Sequence, residues 1–111
     1  MANYRKGYRM EREVVEFFKA KGFYVIRSAG SKKPDIIAAK NGKRIVAECK
    51  YTSKNAVYIE AEEIENLRRV ASHFDAVPVV LVKKKGCKLK MVGLEALERT
   101  EKGYKVRLSD A

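Results

Sequence analysis

Apolar positions follow two rhythms along the chain. From Tyr8 to Lys21, the residues Met10, Val14, Val15, Phe17 and Phe18 recur at three- and four-residue steps, which predicts an amphipathic helix, and Gly22 follows as its C-terminal cap. The rhythm then shortens. Phe23 to Ser28 is aromatic and β-branched, Pro34 to Ala39 is short and apolar, and Arg44 to Tyr51 alternates, with Ile45, Ala47, Cys49 and Tyr51 on one face and Val46, Glu48 and Lys50 on the other. Asn41-Gly42 between the second and third of these runs is a hairpin-turn dipeptide. A second helix is expected over Glu60 to Phe74, where Ala61, Ile64, Leu67, Ala71 and Phe74 share a face and Glu60, Glu62, Glu63 and Glu65 suit the positive end of the dipole.

Val77 to Val82 is apolar without alternation, as in a strand buried on both faces. Lys83 to Gly86 reads as a basic turn, Leu89 to Val92 as a returning strand, Leu94 to Glu98 as a short helix and Tyr104 to Leu108 as a final edge strand. The order αβββαββ predicts an α/β (α+β) fold, one central mixed sheet with helices on its two faces. No repeat, low-complexity tract or Pro/Gly-rich linker divides the 111 residues, and a chain of this length buries roughly 65% of its unfolded surface, enough for one core. A single domain over residues 1–111 is therefore expected.

Charge adds a partner to this picture. The chain carries 25 Lys and Arg against 14 Asp and Glu, a formal net charge of +11, concentrated in residues 1–33 and 76–111. Basic surfaces of this strength attract polyanions, nucleic acid first, because neutralised phosphates release their counterions; solubility alone is the plainer explanation. No run approaches the ~18 apolar residues of a membrane helix, and the basic Met1 to Arg12 segment lacks the apolar stretch of a signal peptide, so a cytoplasmic protein is expected. Cys49 and Cys87 read as reduced packing residues, and with His73 alone and no Cys-x-x-C pair a zinc site of nitrogen and sulfur ligands cannot be assembled.

The chemistry lies in residues that break the pattern of their own element. At about 100° per residue, Glu11 falls inside the apolar arc of the first helix, whereas Glu13 and Glu16 fall outside it. Glu11 either reaches solvent at the arc's edge or meets a partner at the sheet margin. Glu48 and Lys50 share one face of an otherwise apolar strand, and Asp35 opens the strand that the Asn41-Gly42 turn brings beside it. These three form either an exposed ion-pair cluster on an edge or a site in which Asp35 and Glu48 offer oxygens to one hard divalent cation while Lys50 points at the same spot. Such a site suits phosphodiester hydrolysis.

Pro34-Asp35 followed after twelve residues by Glu48-Cys49-Lys50 resembles the PD-(D/E)xK pattern of restriction-endonuclease-like nucleases. More specific are Tyr4 to Gly7, Glu11 to Glu13, Gly22-Phe23, Val25 to Lys33, Asp35, Asn41 to Lys43 and Glu48-x-Lys50, which together resemble the archaeal Holliday-junction resolvases over residues 4 to about 82. The resemblance implies a Mg²⁺-dependent homodimer, with Mn²⁺ as a substitute, that makes paired cuts in four-way DNA junctions during recombination and repair, with recombination or replication proteins as further partners. It implies that Asp35, Glu48 and Glu11 are metal ligands, Lys50 the catalytic lysine and Ser31 the serine nearest the cluster. Arg12, Arg27 and the Ser28 to Lys33 loop, which Gly30 would let move, resemble DNA-contacting and catalytic-loop positions, and the basic residues Arg5, Lys6, Arg9, Arg12, Lys32 and Lys33 cluster in sequence on the side of the expected site, where they would hold phosphates. Cys49 stands where the family tends to have an aliphatic residue; its main-chain carbonyl remains available to a metal. By the same similarity, Val70 and Phe74 are candidates for the dimer face, although the helix pattern equally places Phe74 in the core. A nuclease for other branched or damaged DNA, or a junction binder without catalysis, are the alternatives.

Overall fold

The computed structural model of the chain describes residues 2–28 and 34–108, of which residues 2–8 are described through their backbone alone. Helix α1 (Ala2–Ala20) begins six residues before the expected Tyr8, a start the pattern does not show because residues 2–7 lack the apolar period that marks the rest. It ends as expected. Gly22, at φ 88°, donates to the Lys19 carbonyl (2.9 Å) and Phe23 to that of Phe18 (3.0 Å), while the Phe18 and Phe23 rings meet edge to face at 5.4 Å, the paired bonds and apolar contact of a Schellman cap.

Strands β1 (Tyr24–Arg27), β2 (Ile36–Lys40) and β3 (Lys43–Thr52) follow as an antiparallel meander. Asn41 and Gly42 both take positive φ (43° and 84°) and join Lys40 to Lys43 in a two-residue turn, as the Asn-Gly dipeptide predicts. Beyond helix α2 (Ala61–Phe74), β5 (Val77–Lys84) lies parallel to β3 and β6 (Lys90–Gly93) pairs back onto it, giving a five-stranded mixed sheet in the order β1-β2-β3-β5-β6. The basic turn is shorter than expected, since β5 runs on through Lys83 and Lys84.

The pleat sorts the core into two layers. Ile36, Ala38, Ala47, Val79 and Leu81 pack against Met10, Val14 and Phe18 of α1, while Val46, Val80, Val82 and Val92 pack against Ile64, Leu67 and Ala71 of α2. Helices on both faces of a mixed sheet are the arrangement the pattern predicts. Arg44 of β3 ties the second layer down: its guanidinium donates to the Phe74 and Asp75 carbonyls (2.8 and 3.2 Å) at the C-terminus of α2, where a cation offsets the negative end of the dipole.

The pattern does not anticipate a second sheet. Ala56–Glu60 forms β4, and β4 pairs with β8 (Gly103–Arg107), which also pairs with the two-residue β7 (Glu98–Arg99), giving the order β4-β8-β7. The final strand is thus central in its own sheet rather than at an edge, and the short helix expected near Leu94 is a 3-10 turn, Leu94–Ala96. Val57, Ile59 and Val106 extend the α2 layer, so the small sheet helps close that side of the core. Among the described residues no helix is long and apolar enough to cross a membrane.

Candidate active site

Proline opens the site. The β2–β3 ladder ends at Ile36 and Ala47, and two residues further on Pro34 has no N–H to continue it. The Pro34 carbonyl accepts the Ser28 hydroxyl, and the main-chain N–H of Ser28 donates to the Asp35 carbonyl at 3.0 Å, so Ser28 is tied to Pro34 and Asp35 through both its hydroxyl and its main chain. Cys49 therefore turns its N–H to the Asp35 carboxylate, Oδ2, at 2.8 Å. β3 and β2 part here, and β3 continues along β5 alone, carrying Glu48 and Lys50 on the α2 face of the sheet.

Both helices send an acid to this fork. Glu11 of α1 is half-buried, and burial first and the Asp35 charge second raise its carboxyl above the usual range, while Arg27 pulls it down. Glu63 of α2 holds Lys50: Nζ donates to Oε1 at 3.0 Å and lies 2.9 Å from Oε2, which is buried without a hydrogen bond of its own among the described residues. Burial raises Asp35 as well, against the opposing pull of the Cys49 N–H and Lys50. The largest effect falls on Glu48, whose carboxyl is pushed from its ordinary 4.5 to about 7, chiefly by burial and then by Asp35, with Lys50 opposing. A low-dielectric pocket holding this much like charge favours either protons or a cation. The Cys49 thiol is driven upward by burial and the same carboxylates, which leaves it an inert packing group against the α1 layer.

The structure thus brings together Asp35, Glu48, Lys50 and Glu11 of the expected set. Among the described residues no cluster of three or more His, Cys, Asp or Glu side chains is placed to hold one ion. Arg9 and Arg12 are exposed on α1 and Arg27 is exposed at the end of β1. Ser28 follows the last residue of β1, its hydroxyl engaged with Pro34. Gly30, Ser31, Lys32 and Lys33 lie outside the described residues, as do the side chains of Arg5 and Lys6. Glu63 is the site residue that the sequence pattern does not single out, although it falls inside the apolar arc of Ile64, Leu67, Val70 and Ala71 just as Glu11 does in α1.

The model of the family described as archaeal Holliday junction resolvase (Hjc) matches residues 2–111. This chain belongs to that family. The likeness therefore does not stop near residue 82 but continues through the second sheet. Among relatives of the resolvase family, the crossover junction endodeoxyribonuclease Hjc of Methanocaldococcus jannaschii is 43% identical over 83 residues, covering 75% of this chain and 62% of that protein, less than two thirds of its length. The enzyme of the same name from Archaeoglobus fulgidus is 37% identical over 107 residues, covering 91% of this chain and 78% of that protein. A solved structure of Archaeoglobus fulgidus Hjc, described as a Holliday junction resolvase from an archaeal hyperthermophile, superposes with a TM-score of 0.87 at 33% identity, over 92% of this chain and 84% of that one.

Proposed function

We propose that this chain is a divalent-metal-dependent endonuclease that resolves four-way DNA junctions, acting as a homodimer with one fork per protomer. The observation that carries this reading is the Asp35–Glu48–Lys50 fork. Two half-buried carboxylates, both raised and one to about 7, stand where a ladder ends, with a lysine beside them. A pure DNA binder gains nothing from acids that repel phosphate.

The donor set fits Mg²⁺, with Mn²⁺ as a substitute. Hard cations take oxygen from one or two carboxylates and leave further positions to water and phosphate. Asp35 and Glu48 would hold it, joined by the Cys49 carbonyl, which shares a strand edge with the N–H already turned to Asp35. When bound, the ion supplies Lewis-acid polarisation of the phosphoryl oxygen and lowers the pKa of its water. The chain's own residues do the rest. Lys50 presents a positive charge to the attacking water oxygen or to the charge developing as one P–O bond forms and another breaks. Glu63 keeps that ammonium from folding onto Asp35 and Glu48, and Glu11 of α1 lends negative charge beside Asp35. Arg9, Arg12 and Arg27 would hold phosphates without reading sequence.

Four-way symmetry calls for two equivalent sites, which a C₂ dimer supplies. Phe74 and Val77, 51% and 59% exposed where α2 hands over to β5, support a dimer face there; Val70 is partly buried against the core, so Phe74 is the better candidate.

The deciding experiment compares a labelled four-way junction with its matched linear duplex, for wild type and Asp35→Asn, with Mg²⁺ and with chelator. Paired nicks confined to the junction and lost with either Asp35 or metal are the expected result. Equal cutting of both substrates would assign a general nuclease instead.

A further inference from the structure

Two shallow grooves lie side by side beyond the fork, and the chemistry proposed above uses neither. One, of about 660 Å³, runs past Lys84, Lys88 and Lys90 on the β5–β6 hairpin; the other, of about 510 Å³, runs past Lys54, Lys105 and Arg107 on the small sheet. Leu108 forms a wall of both, and Lys84 Nζ bridges them by donating to Asn55 Oδ1 at 2.6 Å. Among the described residues no acid lines either groove. The grooves also continue the site. Lys50 stands opposite Val82 and Thr52 opposite Lys84, so Lys84 lies on the same face of the sheet as Lys50 and two rungs further on, about 7 Å along the strands.

We infer that this double groove seats the phosphate backbone of the duplex arm running away from the cut strand, an inference that rests on the nuclease reading. Lys54, Lys88 and Lys90 are exposed point charges, which suits contacts made to phosphate whatever the sequence. Arg107 is already paired with Glu98 at 2.9 Å and contributes less. The exposed Tyr58 ring also lines the second groove, with the Lys105 ammonium 5.5 Å from its centroid. The small sheet, which the sequence pattern does not anticipate, thereby has a task besides closing the core.

The test measures binding of a four-way junction in chelator across a salt series for wild type, Lys54→Ala/Lys88→Ala/Lys90→Ala, and a control of equal charge change at the far end of the sheet, Lys19→Ala/Lys21→Ala/Lys43→Ala. Each groove lysine neutralises one phosphate, so the slope of log K against log salt should shrink by about 2–3 in the groove variant and stay unchanged in the control. An unchanged slope in the groove variant, or an equal fall in the control, overturns the inference. If the triple variant folds poorly by circular dichroism, Lys88→Gln/Lys90→Gln replaces it, with an expected fall of about 2. Wild-type cutting of the same junction with Mg²⁺ is scored separately, so failure of the nuclease reading shows there and leaves the slope to decide the groove.

Discussion

Glu98 and Glu48 are both strand glutamates beside a cationic side chain, yet their carboxyls move in opposite directions. On the small sheet Glu98 takes two hydrogen bonds from Arg107 (2.9 and 3.2 Å), stays exposed, and is held below the usual range first by that bond. At the fork Lys50 lowers Glu48 too, but burial and the Asp35 charge outweigh it, because the lysine is already committed to Glu63. A chain with a net charge of +11 thus leaves its buried acidic fork under-neutralised. Surface pairing tidies charge, whereas burial with like neighbours stores a demand for a cation.

The largest test of this contrast removes a fork carboxylate. Asp35→Asn or Glu48→Gln should lower junction cleavage by at least about 10³-fold, the order expected when several kcal/mol of charge stabilisation is lost. Binding in chelator should hold or tighten, since one source of phosphate repulsion has gone; a folded variant that loses binding would break the comparison. Lys50→Ala comes next, at about 10²-fold in single-turnover rate. Glu63→Ala should cost roughly tenfold, and combined with Lys50→Ala it should cost no more than Lys50→Ala alone, because it acts through that lysine. Additive losses would show that Glu63 has a separate role.

The two helix acids at the fork, Glu11 and Glu63, also mark how far the sequence is readable. Asp35, Glu48, Lys50 and Glu11 stand out because each violates the apolar pattern of its own element. Glu63 violates its pattern equally, but acids in the first turn of a helix already have a sufficient reason in the dipole, and that reason masks the second one. The fold divides in the same way. The three strands after α1, the Asn41-Gly42 turn and the buried strand β5 are legible since their signals are local or long. Strand β4 is not: Val57 and Ile59 alternate with Tyr58 and Glu60 for only five residues before α2 starts, and its partner β8 lies far along the chain, so nothing local announces the pairing.

A smaller effect reads the stored demand directly, as stability against pH without metal. In the unfolded chain Glu48 titrates near 4.5; in the folded chain it holds its proton to about 7. Between these values the folded state binds more protons than the unfolded one, so this contribution to stability is complete below 4.5, falls as pH rises, and is gone above about 7. For a half-buried, solvent-screened group the loss should be about 1–2 kcal/mol in urea unfolding, and Glu48→Gln should flatten that slope; parallel profiles would mean the carboxyl is not strained in the fold. Mg²⁺ should reverse the trend, stabilising more at about pH 8 than at about pH 5, because only the deprotonated carboxylates bind it.

The smallest effect completes the comparison from the other side. Glu98→Gln removes a carboxylate with two hydrogen bonds of good length, and the contact geometry alone would rank it above the Lys50–Glu63 pair. Both partners are in water, however, where the pair's Coulomb gain is screened and the cost of fixing two side chains offsets it. The expected outcome is an unfolding midpoint within error of wild type at any pH from about 5 to 8, and unchanged cleavage. A clear pH-dependent loss in Glu98→Gln would mean that the second sheet, like the fork, draws on charge for its stability, and that exposure is not what separates the two glutamates.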